Sequence, residues 1–445
     1  MKKRWYGMIA ALVLGVIGSA AFATNNQGVL GEVKEILKQD YVVQLTDTQL
    51  KAKTIDELLK SLDDPHTTYM KKSVYEDFIN GIENTFSGIG VYIEMEKEGI
   101  RILEPIEGSP AERVGLQKGD LIIKAKGQAL EGLNSDAALA LVKGKKGTYV
   151  MLTIKRGTTT FEVNVMRDEI HAPIIKSKVL EGHIGYIDID SFGSDTATDF
   201  GKAVEKLKKE KVDSWIIDLR SNGGGYLWTA RAIAGYFVDT DTVVRVKNKQ
   251  RETAYSGLDL GDMGQGPVVF LINEYSASAS EVLTAAIKDH EKATVLGHIS
   301  YGKGSVQTGY TLSNGDVLKV TIDHFYSPLG KTINKVGITP DLNTGRANAL
   351  DVAALLLSGK STDKKDISYQ LGPNKLYIDD AKLQTEAGKT IYKEVFNPEP
   401  LTYKQKSEIS NIQDKWWKAY GNNDKALMEK LHAEAETIRK SAESK

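Results

Sequence analysis

"PVVFLINEYSASASEVLTAAIKDHEKATVLG", residues 267–297, reads as a strand, a loop with serines at alternating positions, a helix and a second strand. Strand, helix and strand in this order are the unit of a layered α/β core. Similar units lie on either side. Upstream, "HIGYIDIDSF" is a strand. "DTATDFGKAVEKLKKEK" is an amphipathic helix with Phe200, Ala203, Val204 and Leu207 on one face, and "DSWIIDLR" is a buried strand that ends at "SNGGGY". "WTARAIAGYFV" is a further helix. Downstream, "YTLSNGDVLKVTIDHFY" is a hairpin turned at Asn314 and Gly315. Residues 169–345 are therefore expected to form one α/β core.

This alternation has a geometric consequence. A strand–helix–strand connection returns the second strand's end to the level of the helix start. The loops "SASASE", "SYGKGSVQ" and "SNGGG" thus fall on one edge of the sheet, at the carboxyl ends of strands, where ligands bind. A serine at a helix N-terminus has exposed N–H groups beside it that favour negative charge. Glycines let a loop's backbone approach a substrate closely. Lys303, between Gly302 and Gly304, stands over the same edge. In a dry pocket a lysine loses its charge and its amine becomes a general base. Serine, lysine and backbone donors together make a Ser–Lys acyl-transfer site.

The flanks differ from the core. Residues 1–23 carry Lys2, Lys3 and Arg4, an apolar run and Ala21-Phe22-Ala23, the three-part pattern of a secretory leader with a cut after Ala23; an uncleaved membrane anchor is the alternative. Either places the remainder outside the cytoplasm. Residues 24–82 are helical and too few to bury a core alone, so they need a neighbour or a second copy. Residues 83–168 change to short strands with glycine-rich turns and a short helix at residues 135–142. Residues 346–445 are mixed and then helical and charged, an accessory region suited to packing or dimerisation.

Composition narrows the chemistry. The 445-residue chain has a formal charge of −1 and no cysteine. Balanced charge gives no argument for nucleic acid. Cysteine nucleophiles, disulfides and thiolate metal sites are excluded. There is no His-Glu-x-x-His, and no metal or cofactor is expected.

Two resemblances follow from these residues. "FSGIGV" and "GSPAERVGLQKGDLIIKAKG" resemble a PDZ domain over residues 83–168. That likeness implies that Ser87, Gly88, Ile89, Gly90 and Val91 form a loop receiving the free, apolar C-terminus of a protein substrate. "IIDLRSNGGG", "NEYSASASEVLTAAIKDHEKATVLGHISYGKGSVQ" and "YSPLGKTINKVGITPD" resemble the C-terminal processing peptidases, the PDZ-containing Ser–Lys endopeptidases of family S41. The likeness covers residues 28–341. It implies a multidomain α/β and β architecture: a ClpP/crotonase-like protease core with an inserted PDZ domain, a helical N-terminal segment and a mixed C-terminal region. By motif position, Ser278 is the nucleophile, Lys303 the base and Gln307 the residue that orients it. Ala279 and a glycine of Gly223-Gly224 supply the oxyanion donors, and Glu281, Asp289 and Ser300 support the site. The resemblance further implies an extracytoplasmic bacterial enzyme, membrane association through the N-terminus and a homodimer. Two motifs depart mildly from the family: "SNGGG" replaces the frequent Gly-Asn-Pro-Gly-Gly, and "SYGKGS" replaces a loop richer in Phe and Thr. Arg156, at a strand end near the PDZ exit, is the candidate charge for reporting PDZ occupancy to the core, and Arg167 is the second.

Two other readings compete. A Ser–His–Asp site would need His290, His298 or His324, but His290 lies about 18 Å from Ser278 along one helix axis. A PDZ scaffold with an inactive core would bind C-termini and cleave nothing.

Overall fold

The computed structural model describes residues 11–16, 28–363 and 365–396, with scattered positions beyond 403. Trp416, Trp417 and most of the charged C-terminal helix expected from sequence lie outside the described residues.

The core holds two sheets. The first runs Ile175–Leu180, Ile184–Ile189, Ser214–Asp218, Val268–Ile272, Thr294–Gly297 and Leu342–Asn343. Its first pair is antiparallel and every later pair is parallel. The strands Ser214–Asp218 and Val268–Ile272 are buried at every residue, as expected for parallel strands covered on both faces. One face packs the helices Thr196–Lys209, Leu227–Val238 and Ala279–Asp289 in a single cluster that includes Phe200, Val204, Leu207 and Phe270. The other face, with Ile216, Val269, Leu271 and Leu296, is covered by Val352, Ala353 and Leu356 of the helix Ala349–Leu356. The region after residue 345 thus begins as part of the core's packing.

The second sheet is built on the hairpin Ser305–Thr311 and Val317–Tyr326. The hairpin turns at Gly315, whose φ of +84° suits a residue without a Cβ. The strand Thr68–Met70 pairs outside Val317–Tyr326. The helical N-terminal segment finds its partner here: Val33, Ile36, Leu37 and Leu58 pack on Tyr310, Leu312, Leu318 and Val320. Between Ser305–Thr311 and the short strand Gly224–Tyr226 lies a slot one strand wide. The strand Ala11–Val16 occupies it, parallel to both neighbours.

Residues 83–168 form a separate antiparallel sheet closed by the helix Ser135–Val142 over its own apolar core. The two chain connections to this domain pair with each other, Thr85–Gly88 against Asp168–His171. The domain is therefore an insertion on a two-stranded stalk.

Candidate active site

The three alternating serines separate by their hydrogen bonds. Ser276 Oγ donates to Leu219 O at 2.7 Å, and Ser280 Oγ donates to Asn222 O at 2.9 Å. Both hydroxyls fasten the helix start to the "SNGGG" loop. Ser278 Oγ, fully buried, has no hydrogen-bond partner among the described residues. Ser278 also has φ +60° and ψ −112°, a backbone state costly for a residue with a Cβ. Such strain persists where surrounding contacts over-determine it, and here they do. A Cβ on Gly224 would lie 2.8 Å from Ser278 Cβ and 2.9 Å from Ala279 N, so only glycine fits beside the serine.

Asn222 organises the facing loop. Its amide donates to Ile189 O, its side-chain oxygen accepts from Gly224 N, and its carbonyl accepts from Ala277 N and Ser280 Oγ. The Gly224 N–H is thus engaged by Asn222. Sequence reading did not single out Asn222. Its signal was present, since a polar residue between a strand end and three glycines is placed to brace that loop.

Glu281 ties Ser278 to Lys303. It is fully buried, and one carboxylate oxygen, Oε2, accepts from both Ser278 N and Lys303 N at 2.8 Å. The other accepts from Ser300 Oγ and Gly302 N. Burial pushes this carboxyl up to about 7, and the four donors hold it down against that push. Ser300 Oγ in turn accepts from Ile338 N at 2.6 Å. The glycines around Lys303 press on the turn at residues 333–337. A Cβ on Gly304 would meet Asn334 N at 2.5 Å, and one on Gly302 would meet Gly337 N at 2.9 Å. The downstream motif therefore clamps the lysine loop.

Lys303 is 1% exposed. Burial lowers its pKa well below the ordinary lysine value, and the positive charge of Lys319 lowers it further; Glu281 and Asp64 oppose this. Gln307 is buried on the adjoining strand. Its amide nitrogen donates to Ser305 Oγ at 2.9 Å and lies 3.5 Å from Thr321 Oγ1. Among the described residues its amide oxygen has no hydrogen-bond partner. Anchoring the nitrogen fixes which end of the amide is left to accept.

Of the histidines considered in a Ser–His reading, two are occupied elsewhere, while His324 Nδ1 is buried with no hydrogen-bond partner among the described residues. His290 Nε2 lies 2.7 Å from Thr242 O, and His298 sits between Glu274 and Gly345 O. The histidine whose charge state Lys303 influences is His66, in the turn "DDPHTT". Burial first, and Lys303 second, depress it to about 3, so it is neutral at ordinary pH. His66 was not read as a site residue, because nothing in a local turn motif reports what folds against it from 237 residues away.

Asp289 lies at the other end of the helix Ala279–Asp289, roughly 16 Å from Ser278 by helical rise. It accepts from Ser327 Oγ, Leu329 N and Lys331 Nζ and so fastens residues 327–331. Its support of the site is indirect, through the ordering of the segment that leads to the 333–337 clamp.

In the PDZ domain, Phe86, Gly88, Ile89, Gly90 and Val91 line an apolar groove with Ile93, Leu139, Val142 and Lys143. Ser87 Oγ donates to Gly144 O at 2.7 Å, closing the loop onto the end of the helix Ser135–Val142. Arg156 does not line the groove. It pairs with buried Asp120 at 2.6 Å and covers the Phe161 ring. Arg167 is 3% exposed and donates to Val142 O, Leu141 O and Tyr149 O, at the end of the helix that forms the groove wall.

The profile of peptidase family S41 matches residues 183–344, and that of the PDZ domain matches residues 87–166. The "Probable CtpA-like serine protease" of Staphylococcus haemolyticus is 34% identical over 390 residues, covering 86% of this chain and 76% of that one. The "Carboxy-terminal processing protease CtpA" of Bacillus subtilis is 33% identical over 362 residues, covering 77% of this chain and 78% of that one. Among solved structures, the photosystem II D1 C-terminal processing protease aligns with a TM-score of 0.49 and 26% identity over 76% of this chain and 98% of that one. The chain belongs to peptidase family S41, as a PDZ-containing carboxy-terminal processing protease of the serine type.

Proposed function

We propose that the protein cleaves polypeptides near their C-termini by a Ser278–Lys303–Gln307 mechanism, after the PDZ groove has taken the substrate's end. The observation that carries this reading is the shared Glu281 oxygen, which holds the backbone of Ser278 and of buried Lys303 together. The neutral Lys303 amine takes the Ser278 hydroxyl proton as Oγ attacks the scissile carbonyl. Ala279 N–H and Gly223 N–H hold the oxyanion. As the tetrahedral species collapses, the lysine returns the proton to the leaving amine. Water, deprotonated by the same amine, then hydrolyses the acyl-enzyme. Gln307 accepts from the lysine and aligns it.

Recognition is double in this account. The substrate carboxylate binds the loop at Ser87–Val91 and biases the PDZ domain toward an open cleavage groove. Arg167, behind the groove wall, is better placed than Arg156 to feel that occupancy. The two-sheet core with its parallel strands supports a ClpP/crotonase-like arrangement. The charged start and apolar run of residues 1–23 support an extracytoplasmic enzyme with a cleaved export signal or an anchor, either of which would leave the slot held by Ala11–Val16 open to a bound chain, and the region after residue 345 supports a homodimer. N-terminal sequencing of the exported protein and light scattering check these two points.

The test of the function compares wild type with Ser278→Ala on an unstructured protein of free C-terminus. Wild type should shorten it and Ser278→Ala should bind it without cutting. Binding without cutting by both proteins would instead identify a PDZ scaffold.

A further inference from the structure

On the sheet that carries Gln307 lies a second buried lysine to which the proposed mechanism assigns no role. Lys319 is 9% exposed and its ammonium lies 4.8 Å from the centre of the Phe78 ring. Among the described residues it has no hydrogen bond and no ion pair. The nearest opposing charge acting on it is Asp64, whose oxygens accept from His66 N and Thr67 Oγ1. A buried ammonium is costly without a partner.

Strand register places two hydroxyls beside it. Lys319 stands directly opposite Thr68 on one side and opposite Gly309 on the other, so the three positions share one face of the sheet. Gly309 has no side chain, and the Tyr75 hydroxyl lies where its Cβ would be. Among the described residues, Thr68 Oγ1 and the Tyr75 hydroxyl are both buried without hydrogen-bond partners. Three groups that can all donate therefore share one face of neighbouring strands, Lys319 in the middle, Thr68 on one side and the Tyr75 hydroxyl, from the helix Lys72–Ile82, over Gly309 on the other.

The same face carries Gln307, two residues from Gly309 and thus about 7 Å away at strand spacing. The slot beside these residues shows how a chain runs past them. Ala11 pairs with Gly224, Val13 with Gln307 and Val16 with Gly309, in parallel. An extended chain of this polarity passes the oxyanion glycines first and reaches Lys319 later. Measured from a bond at Ser278, that is the leaving fragment, roughly two to four residues on at about 3.3 Å per residue.

We propose that Lys319, Thr68 and Tyr75 form a subsite of the cleavage groove that binds a carboxylate of the bound polypeptide on the leaving side of the scissile bond. The proposal rests on reading Ser278 as the nucleophile. A carboxylate accepts from all three groups and supplies the charge that the lysine lacks. The carboxylate is either an acidic side chain or the chain terminus, and it is distinct from the one in the PDZ groove. The subsite sets where the cut falls relative to that carboxylate.

The test uses peptides with one scissile sequence. In one series every C-terminus is amidated, and Asp is compared with Asn, and Glu with Gln, at each of the first five positions after the scissile bond. In the other the peptide ends at each of these positions as free acid or amide. Binding is read by fluorescence anisotropy in the Ser278→Ala protein, so it does not depend on turnover. At one position the acid should bind at least about tenfold more tightly than the amide, the scale of a charge-assisted hydrogen bond. The series that shows the preference names the source of the carboxylate. Adding Lys319→Met should bring the ratio near one in the amidated series and down to the ratio given by the PDZ groove alone in the free-terminus series, and Lys319→Arg should restore part of it. The PDZ domain's own preference for a free terminus is common to these proteins and cancels in the comparison. Tyr75→Phe and Thr68→Val, which remove single hydroxyls, should each lower the ratio severalfold, and they carry the test if Lys319→Met does not fold. Equal binding of acid and amide at every position would overturn the subsite. So would a Lys319→Met protein that loses acid and amide alike, since the lysine would then act only on Lys303. Failure of the proteolytic reading is recognised separately, by wild type and Ser278→Ala cutting equally little.

Discussion

The two peptide sites of this molecule are built on opposite principles. The cleavage site is polar and buried, and nearly every loop in it is pinned by a named hydrogen bond. Glu281 holds four donors, Asn222 braces the glycine loop, and Ser276 and Ser280 anchor the helix start. The PDZ groove is apolar, with Ile89, Val91, Leu139 and Val142 along its walls. Chemistry needs charges whose protonation is set by burial and atoms held to a fraction of an ångström. Recognition of a chain end needs area and a few backbone donors. Damage to the first site should therefore appear in turnover, and damage to the second in affinity.

Glu281→Gln should break the first site most severely. The amide's NH2 faces donors where the carboxylate accepted, so kcat should fall about a hundredfold or more. Urea unfolding should show a loss of about 2–4 kcal/mol from unsatisfied buried donors. Peptide affinity should change little. A Glu281→Gln protein with near-normal kcat would remove the claimed link between nucleophile and base.

Gln307→Ala should cost roughly 10–100-fold in kcat, with KM nearly unchanged, because a misaligned base is felt only in the transition state. A rise in KM at constant kcat would move Gln307 from orienting the base to binding substrate.

Gly90→Ala probes the other side of the comparison. Gly90 has φ +78°, and a Cβ there would run into Ser109. Calorimetric titration with a free-acid peptide should show affinity reduced about tenfold, the scale of one lost charge-assisted hydrogen bond. Cleavage of an amidated peptide should be unaffected. Equal losses for both peptides would mean that the groove does not read the carboxylate.

Arg156→Met should have the smallest effect. Arg156 neutralises Asp120 and lies outside the groove, so the ratio of acid to amide cleavage should stay within about twofold of wild type. A larger change would return it to the candidate position that its place at the PDZ exit suggested.

Much of this architecture was legible because it is carried by local pattern. The fully buried strands, the amphipathic helix with Phe200 and Val204, the Asn314-Gly315 turn and the helix at residues 135–142 follow from periodicity and turn chemistry. The proposed dyad rests on loops converging at one sheet edge and on the motifs. What could not be read depends on contacts between distant segments. Which of three serines is chemically available is decided by Leu219 O and Asn222 O, which engage the outer two. His66 enters the site from the N-terminal segment, and Lys319 is a polar residue in a strand whose neighbours are all buried. Lys319 left a trace in "VLKVT", where a lysine interrupts an apolar run, but the trace gives no direction without the register opposite Gly309. Arg156 and Arg167 illustrate the same limit, since both end strands and only packing shows which one lies behind the groove wall.

The claim that Lys303 serves as a neutral base is tested most directly by the pH dependence of Ser278 acylation. Single-turnover rates with an activated ester should be compared in wild type and Lys303→Arg, with circular dichroism confirming both folds. Lys303 has a pKa well below that of a free lysine because it is buried, and Glu281 holds its proton up to about 7. Below these values the amine is charged and the carboxyl is protonated. Both changes disable the site, so the wild-type rate should fall as pH falls through about 7 and reach a plateau above the lysine's lowered value. Arginine keeps its proton throughout, so Lys303→Arg should acylate at least about a thousandfold more slowly at every pH. A folded Lys303→Arg protein that acylates at the wild-type rate, with the same rise in pH, would contradict the account.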